Sequence, residues 1–172
     1  MTLTTVAGIL AAIALTIVVA WAYFTARRLD RLHIRLDRSR DALQAALDRR
    51  CAVVAATVPS LAAAARATEE ARLTPSDLNS RLERERELGA RLAALGPGSH
   101  EPAPAHDERL SQDAVRELFD ADTRVLLALR FYNDAVADTR ALRLRPSVRT
   151  LHLGGTAALP EYAALGQWGL GE

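Results

Sequence analysis

The stretch from Glu108 to Leu144, ERLSQDAVRELFDADTRVLLALRFYNDAVADTRALRL, decides how this chain folds. Leu110, Ala114, Leu118, Ala121, Val125, Ala128, Tyr132, Val136 and Thr139 follow one another at steps of three or four, which lines them along one side of an α-helix. At a rise of about 1.5 Å per residue the stretch makes a rod roughly 55 Å long. Such a rod needs partners of similar length to cover its apolar side. Period-two alternation is absent from the chain, and β-branched residues are sparse beyond its N-terminal run, so the partners are helices as well.

Working back towards the N-terminus, GPGSHEPAPAHD (residues 96–107) is a Gly- and Pro-rich linker. His100 and His106 occur there beside Glu101 and Asp107. Without a rigid element to hold them they read as a polar loop and not as a metal site. His33 and His152 stand alone. Ahead of the linker, Thr74-Pro75-Ser76-Asp77 has the form of a helix start, with Thr74 as cap and Pro75 in the first turn. The helix it opens runs to about Leu95, with Leu78, Leu82, Leu88, Leu92 and Leu95 as its apolar side. Glu83, Glu85, Glu87, Arg84 and Arg86 are expected to form exposed ion pairs on the other side. Earlier still, Leu32, Leu36, Leu43, Leu47, Val54, Val58 and Leu61 mark a further apolar stripe, with Pro59 kinking or ending that helix. Cys51, the single cysteine, falls on this helix as a small buried side chain.

The first 26 residues contain no charged side chain. The run from Val6 to Phe24 spans roughly 28 Å as a helix, close to the hydrocarbon thickness of a bilayer. Trp21, Tyr23 and Phe24 lie at its end, where amphipathic rings favour the interface. Arg27, Arg28 and Arg31 follow at once and form a juxtamembrane basic cluster able to attract anionic headgroups. A cleaved leader competes with a permanent anchor, since Ala20-Trp21-Ala22 fits the small-x-small pattern. The missing positive charge ahead of the run weighs against it. The arginines place the N-terminus outside and the remainder in the cytoplasm, as a single-pass protein of the cell membrane.

The chain has 172 residues and a formal net charge of +1, with 22 basic residues that are all arginine. No global field points to nucleic acid, and none is expected as a partner. The domains expected are an anchor (1–26), a helical bundle (27–145) and a partly loose C-terminal extension (146–172). In the extension, Pro146 stops the long helix and Gly154-Gly155 makes a turn, without the spacing of a phosphate loop. The fold class expected is therefore all-α: one transmembrane helix followed by an elongated antiparallel bundle of three to four helices.

Within Glu108–Leu144, the cluster Phe131-Tyr132-Asn133 stands out in a chain with 5% aromatics. Tyr132 lies on the apolar stripe with Val136, and Phe131 is one position round, within reach of the core's flank. Buried Tyr and Asn need hydrogen-bond partners, so Phe131, Tyr132, Asn133 and Val136 are candidates for packing or docking. Catalysis needs a base, a nucleophile and an oxyanion donor that converge, and the cluster lacks that set.

These residues also carry a resemblance. YN..V at Tyr132, Asn133 and Val136, then Pro146, Gly154 and the pair Glu161-Tyr162, preceded by Tyr23, Leu47, Arg49 and Arg50, resemble the LemA family of bacterial membrane proteins. The chain departs from that pattern at CAVVAATVPSL (51–61), at Thr139-Arg140 and at Ala163. The resemblance implies a single-pass, membrane-anchored helical bundle with no assigned enzymatic activity or cofactor. The function expected is a non-catalytic interaction or scaffold module, partnered by the lipid bilayer, an unknown protein or a second copy of itself. Two alternatives remain open. One is a membrane-bound hydrolase or metal-dependent enzyme with a site in the bundle core, for which Asp120, Asp122 and Asp134 are the acidic candidates. The other is an envelope-facing sensor, if the topology is reversed.

Overall fold

A computed structural model describes residues 2–95, 111–151, 155 and 158–165. The protein is all-α, a helical bundle with one long apolar N-terminal helix. Its elements are α1 (Leu3–Thr57), a 3-10 turn (Pro59–Leu61), α2 (Ala62–Glu69), α3 (Asn79–Ala94), α4 (Gln112–Arg143) and α5 (Pro146–Thr150). Among the described residues the only β-type pairing is an isolated bridge between Thr74 and Asp77.

Pro59 and Pro146 act by the same steric rule. A proline forces the preceding residue out of the α region and itself suits the first turn of a new helix. Val58 has φ −128° and ψ 85°, ending α1, and Pro59 opens the 3-10 turn that leads into α2. Arg145 has φ −61° and ψ 134°, and Pro146 opens α5. The long helix is thus stopped by proline as expected, but a further helical turn follows it. Gly155 has φ +63°, a left-handed conformation that glycine adopts without strain, which fits the expected turn. Gly154 lies outside the described residues, as does the 96–107 linker.

The start of α3 differs from the expectation. Thr74 does not cap it. Its hydroxyl accepts a hydrogen bond from the Asp77 amide at 3.1 Å. Asp77 in turn accepts one from the Ser80 amide at 3.0 Å, holding its carboxyl below the usual range. The TPSD sequence spends its capping chemistry on a turn, and the helix begins four residues after Pro75, at Asn79.

The chain divides into two compact units, residues 1–36 with 135–160, and residues 37–134 with 161–172. In the first, α1 carries an apolar stretch long enough to cross a membrane, and none of it is buried inside the protein. Leu10, Leu15, Ile17 and Val19 are all well exposed there. An exposed apolar surface of this extent marks a membrane or protein contact. The Thr16 hydroxyl donates to the Ala12 carbonyl at 2.8 Å, so the one polar side chain inside Val6–Phe24 other than the ring-bearing residues at its end is satisfied within the helix. Further along the unit, Leu29 is buried against Leu142 and Val148, with Leu32 beside them. Arg35 pairs with Asp138 at 2.7 Å.

In the second unit the core joins Cys51, Val54, Val58, Leu61, Ala65, Leu88, Leu92 and Leu118, drawn from α1, the 3-10 turn, α2, α3 and α4. Gln44 on α1 ties down the connection between α2 and α3, its side-chain oxygen accepting from the Leu73 amide at 2.6 Å.

Candidate functional site

Each apolar stripe of the second unit contains one or two charged residues at helical spacing. On α1, Arg50 falls between Leu47 and Val54. On α3, Glu85 falls between Leu82 and Leu88, with Arg81 one turn earlier. On α4, Asp122 falls between Leu118 and Val125. The helices bring these residues to one level, and all four are buried.

Arg50 reaches two helices at once. Its Nε donates to Asp122 Oδ1 at 2.6 Å, and its Nη1 donates to Glu85 Oε2 at 3.1 Å. The other oxygen of Glu85 accepts from Arg81 Nε at 3.1 Å and Nη2 at 2.8 Å. Arg81 also donates from Nη1 to the carbonyls of Glu69 (3.1 Å) and Ala71 (2.7 Å), and its Nη2 stands 3.1 Å from Asp48. Arg50, Arg81, Glu85 and Asp122 balance as two positive and two negative groups. That balance answers the main objection to burying charge, which is an uncompensated ion in a medium of low polarisability. The expected exposed pairing of Glu85 is therefore overturned, because its place in the leucine stripe outweighs its place in an alternating charge run.

Cys51 lies against this network. Its thiol is 3.3 Å from Glu85 Oε1 and 3.6 Å from Arg81 Nη2. Burial pushes the thiol well up, the Glu85 carboxylate adds to this, and Arg81 and Arg50 only partly oppose it. A thiol held protonated is a poor nucleophile and a poor ligand.

The cluster at Phe131–Val136 divides into separate roles. Tyr132 is buried, and its hydroxyl donates to the Glu161 carbonyl at 3.0 Å. Burial raises its phenol above the usual value. Asn133 pairs with Ala163 in both directions: its Nδ2 donates to the Ala163 carbonyl at 2.8 Å and its Oδ1 accepts from the Ala163 amide at 3.0 Å. An amide side chain here does what a neighbouring strand would do for the backbone of residue 163. On α3, Arg86 donates to the Ala164 carbonyl at 2.6 Å. The cluster is thus a docking surface for the chain's own residues 161–164. Val136 is fully buried in the first unit's portion of α4. Phe131 is 61% exposed, so the expectation that it reaches the core's flank is wrong. One residue of rotation, about 100°, is enough to turn it away.

The remaining candidates are dispersed. Arg27, Arg28 and Arg31 are exposed, and the Arg27 guanidinium lies over the Tyr23 ring at 4.9 Å. Asp120 is exposed and pairs with Arg124 at 2.8 Å, Asp134 is exposed, and Asp122 is engaged by Arg50. The three do not converge. Among the described residues no three His, Cys, Asp or Glu side chains gather as a metal-binding set. His100, His106 and His152 lie outside the described residues. Sequence reasoning misses the burial of Arg50, Arg81 and Glu85, whose places within leucine stripes are their one local signal, whereas the pairing of Asn133 with Ala163 has none. Comparison of the chain with protein-family models, with curated proteins and with solved structures finds no match.

Proposed function

We propose that this protein is a non-catalytic, single-pass membrane protein that holds a helical interaction module at the cytoplasmic face of the cell membrane, and that it is a divergent member of the LemA family. One observation carries the reading. The helix that has the exposed apolar stretch runs unbroken from Leu3 to Thr57 and also supplies Leu43, Leu47, Arg50, Cys51 and Val54 to the core. Anchor and module share one helix, so the module is covalently continuous with the apolar stretch.

Two further features support the choice of an interaction role. The buried ionisable groups of the second unit are spent on one another in a closed network, which leaves them in contact with protein and away from any substrate. The outer side of α4 exposes Phe119, Leu126, Leu127 and Phe131, large apolar groups of the kind that anchor protein contacts. The resemblance to the LemA family at Tyr132, Asn133 and Glu161-Tyr162 agrees with this, since Tyr132 and Asn133 hold the returning chain at Glu161 and Ala163.

The test is the compartment. A C-terminal tag on the full chain should resist protease in intact cells and be cleaved after lysis. Cleavage in intact cells would reverse the topology and favour an envelope-facing sensor. Detergent-solubilised protein should in addition be recovered with a partner or as an oligomer. A monomer that recovers nothing would remove the interaction role.

A further inference from the structure

The unit made of residues 1–36 and 135–160 has a lopsided charge. Of the chain's 22 basic and 21 acidic side chains, eight and two fall within it, leaving 14 and 19 for the rest. Four arginines come from the segment Arg27–Arg35 and four from Arg140–Arg149, and only Asp30 and Asp138 oppose them. The second group of arginines is more than 100 residues further along the chain. Folding brings it to the first through the Leu29, Leu142 and Val148 contact.

That contact fixes where the second group lies relative to the apolar run. Leu29 is five residues past Phe24, about 7.5 Å along the helix. This is within a Debye length of roughly 8–10 Å at physiological salt, so the end of α4 and α5 stand in the field of any headgroup layer around the anchor. The corner they form combines charge and grease. Arg145 and Arg149 are exposed, as are Leu144 and Leu151 at 49% and 48%. No described carboxylate pairs with Arg145 or Arg149. Between α5 and the returning chain lies a groove of about 660 Å³, lined by Arg143, Leu144, Val148, Arg149, Gly155 and Leu159. Guanidinium groups offer paired donors suited to a phosphodiester, and the leucines suit the glycerol and the upper methylenes of an acyl chain.

We propose that the α4–α5 corner is a binding site for the headgroup of an anionic phospholipid, with Arg145 and Arg149 engaging the phosphate and Leu144 and Leu159 the adjoining apolar part. The site rests on the membrane-anchored reading. It gives the protein a second foot on the bilayer besides its helix, and makes the lipid's charge a determinant of how the module is held.

The test uses the full chain reconstituted in phosphatidylcholine vesicles, with spin-labelled phosphatidylglycerol or spin-labelled phosphatidylcholine as reporter lipid. Wild-type protein should restrict phosphatidylglycerol in preference to phosphatidylcholine, and the preference should weaken with salt. In the variant R145Q/R149Q the preference should fall by up to about five-fold per arginine at low salt. R145K/R149K, which keeps the charge but loses the paired donors, should fall between wild type and R145Q/R149Q. Neutralising Arg116 and Arg130, exposed on α4 in the other unit, should leave it unchanged. A wild-type preference retained in R145Q/R149Q would overturn the proposal. So would loss of the preference in millimolar inorganic phosphate, which would assign the groove to a free anion. A chain that restricts neither lipid would overturn the anchored reading itself, an outcome separable from loss of selectivity.

Discussion

Glu85 is the residue on which the second unit most depends. Its two oxygens accept from Arg50 at 3.1 Å, from Arg81 at 3.1 and 2.8 Å, and stand 3.3 Å from the Cys51 thiol, all without solvent contact. Glu85→Ala removes one of the carboxylates that Arg50 binds, Asp122 remaining, and leaves Arg81 with Asp48 and two carbonyls. Removing one member of a buried ionic set costs roughly 3–5 kcal/mol, because the remaining charges stay in the core without compensation. That is a large share of the 5–15 kcal/mol by which a domain is typically stable. For a unit of about 100 residues each kcal/mol moves the midpoint by about 4–8 °C, so a fall of at least 12 °C is expected. The assay is thermal and urea unfolding of the full chain in detergent, followed by helical circular dichroism. The informative companion is the combined replacement R50M/R81M/E85M/D122L, which removes all four charges together. It should recover much of the loss, since apolar residues of similar volume can replace a whole buried ionic group at little cost. A Glu85→Ala loss under 1 kcal/mol would refute the reasoning. So would a quadruple variant less stable than the single one, which would mean that the network contributes net attraction and not mainly mutual compensation.

Three further outcomes follow from the same geometry. Asn133→Leu removes both bonds to Ala163, at about 0.5–1.5 kcal/mol each, and should raise amide exchange across residues 161–165 with α4 still helical; unchanged protection there would show that the cluster does not hold this segment. Cys51 should resist alkylation in the native state at pH 8.5 and react quickly in urea, because burial and Glu85 disfavour the thiolate; rapid native labelling would contradict its place in the core. Tyr132 and Cys51 both have folded pKa values above their unfolded ones, so their contribution is intact below about pH 8.5 and is lost as pH rises through the thiol and then the phenol range. Alkaline titration of the unfolding midpoint should fall accordingly, and Tyr132→Phe should flatten the part of that fall above about pH 10.

Much of the architecture was readable in one dimension because helical periodicity and hydropathy are local. The unbroken apolar run to Phe24, the stripe through Leu43 and Val54, and the breaks before Pro59 and Pro146 each depend on residues within a few positions of one another. The start of α3 was misplaced because Thr74 and Asp77 have two competing uses, cap and turn, and nothing local ranks them. Phe131 was misplaced for a related reason. A large aromatic beside a core position looks buried until the helix's neighbours are known.

By itself the sequence determined an all-helical chain with one segment fit to cross a membrane, since spacing and composition suffice to set helix and stripe. Only the tertiary structure decided that Glu85 is internal, that Asn133 serves Ala163, and that the arginines near residue 145 join those near residue 28. Those outcomes are pairings between distant segments. A charge cannot be told to be solvated or buried until the helix packed against it supplies, or fails to supply, the opposite charge.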